Sequence, residues 1–163
     1  MDKVWAPWRM QYISSFASAR TENCFLCIDK KDDEAALVVG RNDRAFVVMN
    51  RFPYTNGHVM VVPVRHVGSI ELLTDEELLD MMKLVQIMTG IFKEVFRIDG
   101  LNMGCNMGRA AGAGLEEHIH LHMVPRWFGD TNFMPVLGET KIISEHITET
   151  FNKLKSKFIE KLL

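Results

Sequence analysis

Three histidines two residues apart, His118, His120 and His122, alternate with Ile119, Leu121 and Met123 in the stretch Glu117–Arg126. Successive side chains of a strand point to opposite faces. A period of two therefore puts the imidazoles on one face and the apolar side chains on the other. A helix does not offer this, because residues two apart do not share its surface. One face has to pack into a core while the other looks into a cleft or onto a metal. Three uses of such a row are open: a half-exposed strand with surface histidines, a catalytic metal held by all three, and nucleophilic chemistry by one ring. Half of the chain's six histidines are concentrated here, which weighs against the first.

The preceding segment favours the third use. Residues 104–114 contain Gly104, Gly108, Gly112 and Gly114, four glycines in eleven positions. They free the backbone for positive φ and for close approach to a ligand. Successive N–H groups in such a loop can cradle an anion. A glycine-rich turn alone is commonplace; beside a row of imidazoles it points to phosphorus chemistry.

The remainder of the chain sets bounds. At 163 residues one domain, 1–163, is expected. Lysine and arginine total 19 against 21 acids, a net charge of −2, which offers no basic field for a nucleic-acid backbone. No apolar run approaches the roughly 20 residues of a membrane span. The segment Met1–Trp5 lacks the apolar core of a signal peptide, so a cytoplasmic protein with neither nucleic-acid nor membrane partner is expected. Residues 1–23 carry Trp5, Trp8, Tyr12 and Phe16, an aromatic load suited to an arm docked on a surface.

Pattern and turn chemistry predict strands over 35–40, 45–49 and 58–64, with Pro53 and Gly57 punctuating the loop before the third. Thr74 and Glu77 have capping-box spacing, and apolar residues then recur at helical steps to about Arg97. A fourth strand over 101–107, the histidine strand, and a C-terminal helix over 142–163 follow. Strands joined by short turns, with helices set to one side, define an α+β fold on an antiparallel sheet. Cys24 and Cys27 stand at C-x-x-C spacing. A structural disulfide is not expected without a secretory signal. A redox pair would need a strand before it and a helix after it. A zinc knuckle is the better reading and requires two further ligands. Cys105 reads as a small buried hydrophobe.

The residues His118 to Val124 resemble the signature of the histidine triad family of nucleotide hydrolases and transferases. The segment from Asn50 to His66, with Gly57, His58 and Pro63, resembles that family's first nucleotide-binding hairpin. Residues 125–134, with Trp127, Gly129, Asp130 and Asn132, are similar to the segment after the triad in the bacterial diadenosine-polyphosphate phosphorylase-like branch. Arms like Trp5–Arg9 occur there too. The resemblance runs from about Val4 to about Ile143.

The resemblance implies a five-stranded antiparallel sheet with two main helices, usually as a homodimer. It implies His120 as nucleophile, with His122 and His58 on the non-bridging phosphate oxygens. Asn50, otherwise an ordinary turn residue, would bind the ribose. Asn106, Gly112, Ala113 and Gly114 would complete the nucleotide and phosphate site. Zinc-bearing members resemble this chain in a C-x-x-C pair, a histidine after the hairpin and the first triad histidine. That implies a structural Zn²⁺ at Cys24, Cys27, His66 and His118, and no catalytic metal. The implied activity is cleavage of dinucleoside polyphosphates or related AMP esters at the α-phosphate, through a nucleotidyl-histidine. A nucleotide-binding protein with little turnover and a nucleoside phosphoramidase are the alternatives. The loop departs from two patterns: phosphorylases of the branch carry serine where Gly114 stands, and phosphoramidase-like relatives carry a Gln-Ser pair that Ala113-Gly114 lacks.

Overall fold

Side chains that alternate along a strand need a cover for each apolar face, and here two clusters provide it. The computed structural model describes residues 24–133 and 143–162. The aromatic arm, the loop segment 134–142 and the expected helix start at 142 lie outside them. Strands β1 (Val38–Arg41), β2 (Ala45–Met49), β3 (Val59–Pro63), β4 (Gly100–Cys105) and β5 (Leu121–Arg126) form one antiparallel sheet. Their order is β1-β2-β3-β5-β4. Helix α1 (Asp33–Ala36) is a single turn, α2 spans Asp75–Phe96 and α3 spans Ile147–Leu162.

In β2, Ala45, Val47 and Met49 join Val59 and Val61 of β3 in a core beneath α2 and α3; Phe46 and Val48 join Met60 and Val62 in a second cluster on the opposite face. Both strands are thus buried on both sides, which is why they read as continuous apolar runs. Each fully buried Val, Leu or Phe contributes roughly 1.5–3 kcal/mol relative to exposure.

Helix α2 starts where its cap dictates. Thr74 Oγ1 accepts the Glu77 N–H at 3.3 Å, and the Glu77 carboxylate accepts the Thr74 N–H at 2.9 Å. It ends at Arg97, whose backbone is left-handed (φ 49°). Its face of Met81, Leu84, Val85, Met88, Ile91 and Phe92 lies in the core. Helix α3 adds Phe151, Leu154 and Phe158. Phe158 lies so close to β1 that a Cβ on Gly40 would meet its ring at 2.1 Å.

Several boundaries differ from expectation. Strand β3 is Val59–Pro63 and not 58–64, and α3 begins only at Ile147, with residues 143–146 outside the helix. Strand β1 begins at Val38 because residues 33–36 close a helical turn that ends on Leu37 (φ 62°). Strand β4 stops at Cys105, two residues short. Strand β5 begins at Leu121, because the Ile119 N–H leaves the ladder and donates to the Val67 carbonyl at 2.7 Å. Among the described residues no helix is long and apolar enough to cross a membrane.

Candidate active site and metal cluster

Face alternation carries the predicted site residues to one side of the sheet. His122 lies opposite Met60 on β3 and Gly104 on β4. Met60 belongs to the cluster away from the helices, whereas Ile119 and Met123 are in the core beneath them. Asn50, two beyond Val48, and His58, two before Met60, continue the same face. Asn50, His58, His118, His120 and His122 are all buried.

Hydrogen-bond partners fix the ring protons. His120 Nδ1 lies 2.8 Å from the His118 carbonyl, which can only accept, so Nδ1 carries the proton and Nε2 the lone pair. Burial lowers the basicity of His120 below the ordinary histidine range, opposed by that carbonyl contact. A neutral ring with an unprotonated Nε2 results. The Tyr54 N–H donates to His58 Nδ1 at 3.0 Å. His58 therefore carries its proton on Nε2 and donates it to His122 Nδ1 at 2.9 Å. Neutral His122 is then an Nε2–H tautomer. The His120 and His122 rings meet edge to face, 4.9 Å between centroids.

Asn50 performs the turn role its residue type suggests: its Oδ1 accepts the Phe52 N–H at 2.8 Å. That contact turns Nδ2 toward His58 and the Met60 sulfur, 3.7 Å away. Next to it lies an apolar cavity of about 290 Å³, whose walls include Phe25, Ile28, Val48, Phe52 and Met60. Gly57, at φ +75° ahead of His58, faces the Phe96 ring; a Cβ there would lie 2.8 Å from it. The glycine loop is more self-contained than an open anion cradle. The Gly112 N–H donates to Arg109 O at 2.9 Å, and the Ala113 N–H to Gly108 O at 3.3 Å. The Gly114 N–H is not drawn into this turn among the described residues. Leu115 anchors the loop in the second cluster, and Cys105 is half-buried.

Cys24, Cys27, His66 and His118 converge, with their ligand atoms all within 4.8 Å of one another. The Cys24 Sγ lies 3.4 Å and the Cys27 Sγ 3.7 Å from His118 Nδ1, and Cys27 Sγ lies 3.3 Å from His66 Nδ1. A tetrahedral ion with metal–sulfur bonds of about 2.3 Å and metal–nitrogen bonds of about 2.0–2.1 Å has edges of about 3.3–3.8 Å. These three sulfur–nitrogen distances fall within that range, and the four donors together could hold such an ion. His118 Nε2 is bonded to the Pro63 carbonyl at 2.9 Å, which leaves Nδ1 facing the thiols. Without a cation, burial pushes the Cys24 thiol up to about 11 and His118 down to about 4. A bound dication reverses the first of these by deprotonating the thiol.

Sequence reasoning missed the Tyr54 N–H and the Pro63 carbonyl, and did not name His118 as the residue whose carbonyl holds the His120 proton. Main-chain donors and acceptors carry no residue-type mark, so only their position in the turn and strand could have signalled them.

A five-stranded antiparallel sheet with this histidine row on one face and helices on the other is the architecture of a histidine triad domain. The sequence model of the HIT domain matches residues 31–129, and the chain belongs to that family. An AP-4-A phosphorylase from Mycobacterium tuberculosis is 38% identical over 165 residues, covering 97% of this chain and 85% of that protein. A bis(5'-adenosyl)-triphosphatase from Dictyostelium discoideum is 35% identical over 82 residues, 50% of this chain and 54% of that protein. The crystal structure of a Zn-bound histidine triad family protein from Mycobacterium smegmatis has the same fold: TM-score 0.70, 24% identity, covering 87% of this chain and 97% of that one.

Proposed function

We propose that this protein cleaves dinucleoside polyphosphates, or related AMP esters, at the α-phosphorus through a nucleotidyl-His120 intermediate. The observation that carries the reading is the 2.8 Å contact from His120 Nδ1 to the His118 carbonyl, which leaves Nε2 as a lone-pair nucleophile. Nε2 attacks phosphorus, the bond to the bridging oxygen breaks, and its electron pair leaves with the departing nucleotide. The resulting phosphoramidate splits one displacement into two easier ones. Water or inorganic phosphate then attacks the same phosphorus, the phosphorus–Nε2 bond breaks with its electron pair returning to Nε2, and the proton lost by an attacking water goes to solvent. The Nε2–H of His122, oriented through His58, binds the oxygens around phosphorus, where a lost donor typically costs about 3–4 kcal/mol of transition-state stabilisation.

The apolar cavity beside Asn50 takes the nucleoside, with the Asn50 amide toward the ribose. Asn106 and the Gly114 N–H meet the phosphates, and Gly112 and Ala113 form the turn that presents Gly114. The similarity to an AP-4-A phosphorylase over nearly the whole chain supports this substrate class. Cys24, Cys27, His66 and His118 would hold Zn²⁺, and the bound ion would stabilise the fold; cysteine thiolate ligands suit a reducing, cytoplasmic setting. The unit is a homodimer. Supporting this, edge strand β4 exposes Met103, and α2 exposes Leu79 and Met82.

The test is incubation with diadenosine tetraphosphate, with and without phosphate. AMP plus ATP reports water as acceptor, and ADP plus ATP reports phosphate. Two ADP and nothing else would refute attack at the α-phosphorus. His120→Asn should still bind AMP while losing cleavage. Nucleotide binding by the wild type without products would favour a binding protein instead.

A further inference from the structure

We propose that His118 is a positioning residue that passes the state of the thiol–imidazole cluster to His120. The inference builds on the reading of His120 as nucleophile and adds a control on it.

Both ring nitrogens of His118 are committed. Nδ1 faces Cys24 and Cys27 at 3.4 and 3.7 Å, and Nε2 is bonded to the Pro63 carbonyl at 2.9 Å. The ring is fully buried. The carbonyl of this same residue holds the His120 Nδ1 proton. The acceptor that selects the nucleophile's tautomer thus belongs to a residue clamped by the cluster.

A second connection runs in parallel. Between the two histidines, the Ile119 N–H donates to the Val67 carbonyl at 2.7 Å. Val67 follows His66, another member of the cluster. The His66 and His118 rings meet edge to face at 5.0 Å. A cation that draws His66 and His118 together therefore also draws 66–67 against 118–119. Without it, two imidazoles and two thiols are left to each other, and the pairing that seats the His118 carbonyl loses its clamp. The His120 proton then redistributes between Nδ1 and Nε2, and a protonated Nε2 cannot attack phosphorus. Groups that orient a metal-bound imidazole commonly control metal affinity or activity by about 10–100-fold.

The experiment uses the full chain labelled with ¹⁵N-histidine, either loaded with Zn²⁺ or stripped by chelator. Conditions are those where circular dichroism reports the same fold. His66→Ala, which keeps three donors, is run alongside at limiting Zn²⁺ in case the stripped wild type unfolds. Three quantities are read: the imidazole ¹⁵N–¹H pattern of His120, AMP affinity, and the single-turnover rate of nucleotidylation. The expected result is a single Nδ1–H tautomer in the loaded protein and a mixture in the stripped one. Nucleotidylation should slow about 10–100-fold with AMP binding held. Readded Zn²⁺ should restore the wild type, and His66→Ala only at higher Zn²⁺. A folded, stripped protein that keeps the Nδ1–H tautomer and its rate would overturn the proposal, as would a chain that retains no Zn²⁺ after loading. If the tautomer follows Zn²⁺ but no nucleotidyl-histidine ever forms, the coupling is upheld and the nucleophile assignment falls.

Discussion

Two glycine-to-alanine substitutions should move stability in opposite directions. At Gly57 the backbone has φ +75°, and the new Cβ would lie 2.8 Å from Phe96 Cε2 and 3.4 Å from Pro125 Cγ. The left-handed conformation costs an L-residue about 1–2 kcal/mol. Displacing the ring adds about 1–3 kcal/mol, because Phe96 stacks on Phe92 and meets Trp127 edge-on. The total is about 2–5 kcal/mol. At Gly90, inside α2, nothing lies within 4 Å of the added methyl, and alanine should stabilise by about 0.5–1 kcal/mol. The assay is urea unfolding of both variants at one protein concentration. Because Gly57 precedes His58, its alanine variant should also turn over more slowly than its folded fraction accounts for. A Gly57→Ala cost below about 1 kcal/mol would refute the reasoning.

Thr74→Ala removes the capping hydroxyl of α2 and should cost about 1 kcal/mol by the same unfolding assay. His58→Phe keeps a ring in place but removes the His58 Nε2–H donation to His122 Nδ1; about 1–3 kcal/mol of stability and most of the nucleotidylation rate should go, measured by unfolding and rapid quench. The Arg126 guanidinium, 2.5 Å from Asp130, holds that carboxyl down at about 2, below its ordinary value of 3.8. The folded form is the stronger acid, so the pair's contribution is full above the ordinary carboxylate range and is lost as pH falls toward 2. Unfolding curves of wild type and Asp130→Asn should therefore converge as pH is lowered from 6 to 3; a gap that widens instead would contradict the pairing.

The face assignment was legible because it needs only counting: residues 118, 120 and 122 share a face wherever the backbone runs extended. The start of α2 was legible because Thr74 and Glu77 announce the cap. The four metal-cluster residues came from resemblance, and their convergence was invisible until β3 and β5 were side by side. Strand edges were harder. Ala35 and Ala36 pass for strand but complete a turn that Asp33 and Glu34 begin, and nothing in Ile119 says that its N–H will leave the ladder for Val67. The inward bonding of Gly112 and Ala113 was hidden for the same reason: glycine frees a backbone without saying which carbonyl it will reach. The contact from Tyr54 through His58 to His122 spans 68 residues of sequence and belongs to the fold alone.

The alternation along 118–123 has a practical outcome for any saturation scan of this protein. Substitutions at 119 and 123 should appear as losses of abundance, since those side chains sit beneath the helices. Substitutions at 120 and 122 should leave a soluble product with impaired turnover. Position 118 should show both defects together, and the two phenotypes should otherwise switch with each step along the chain.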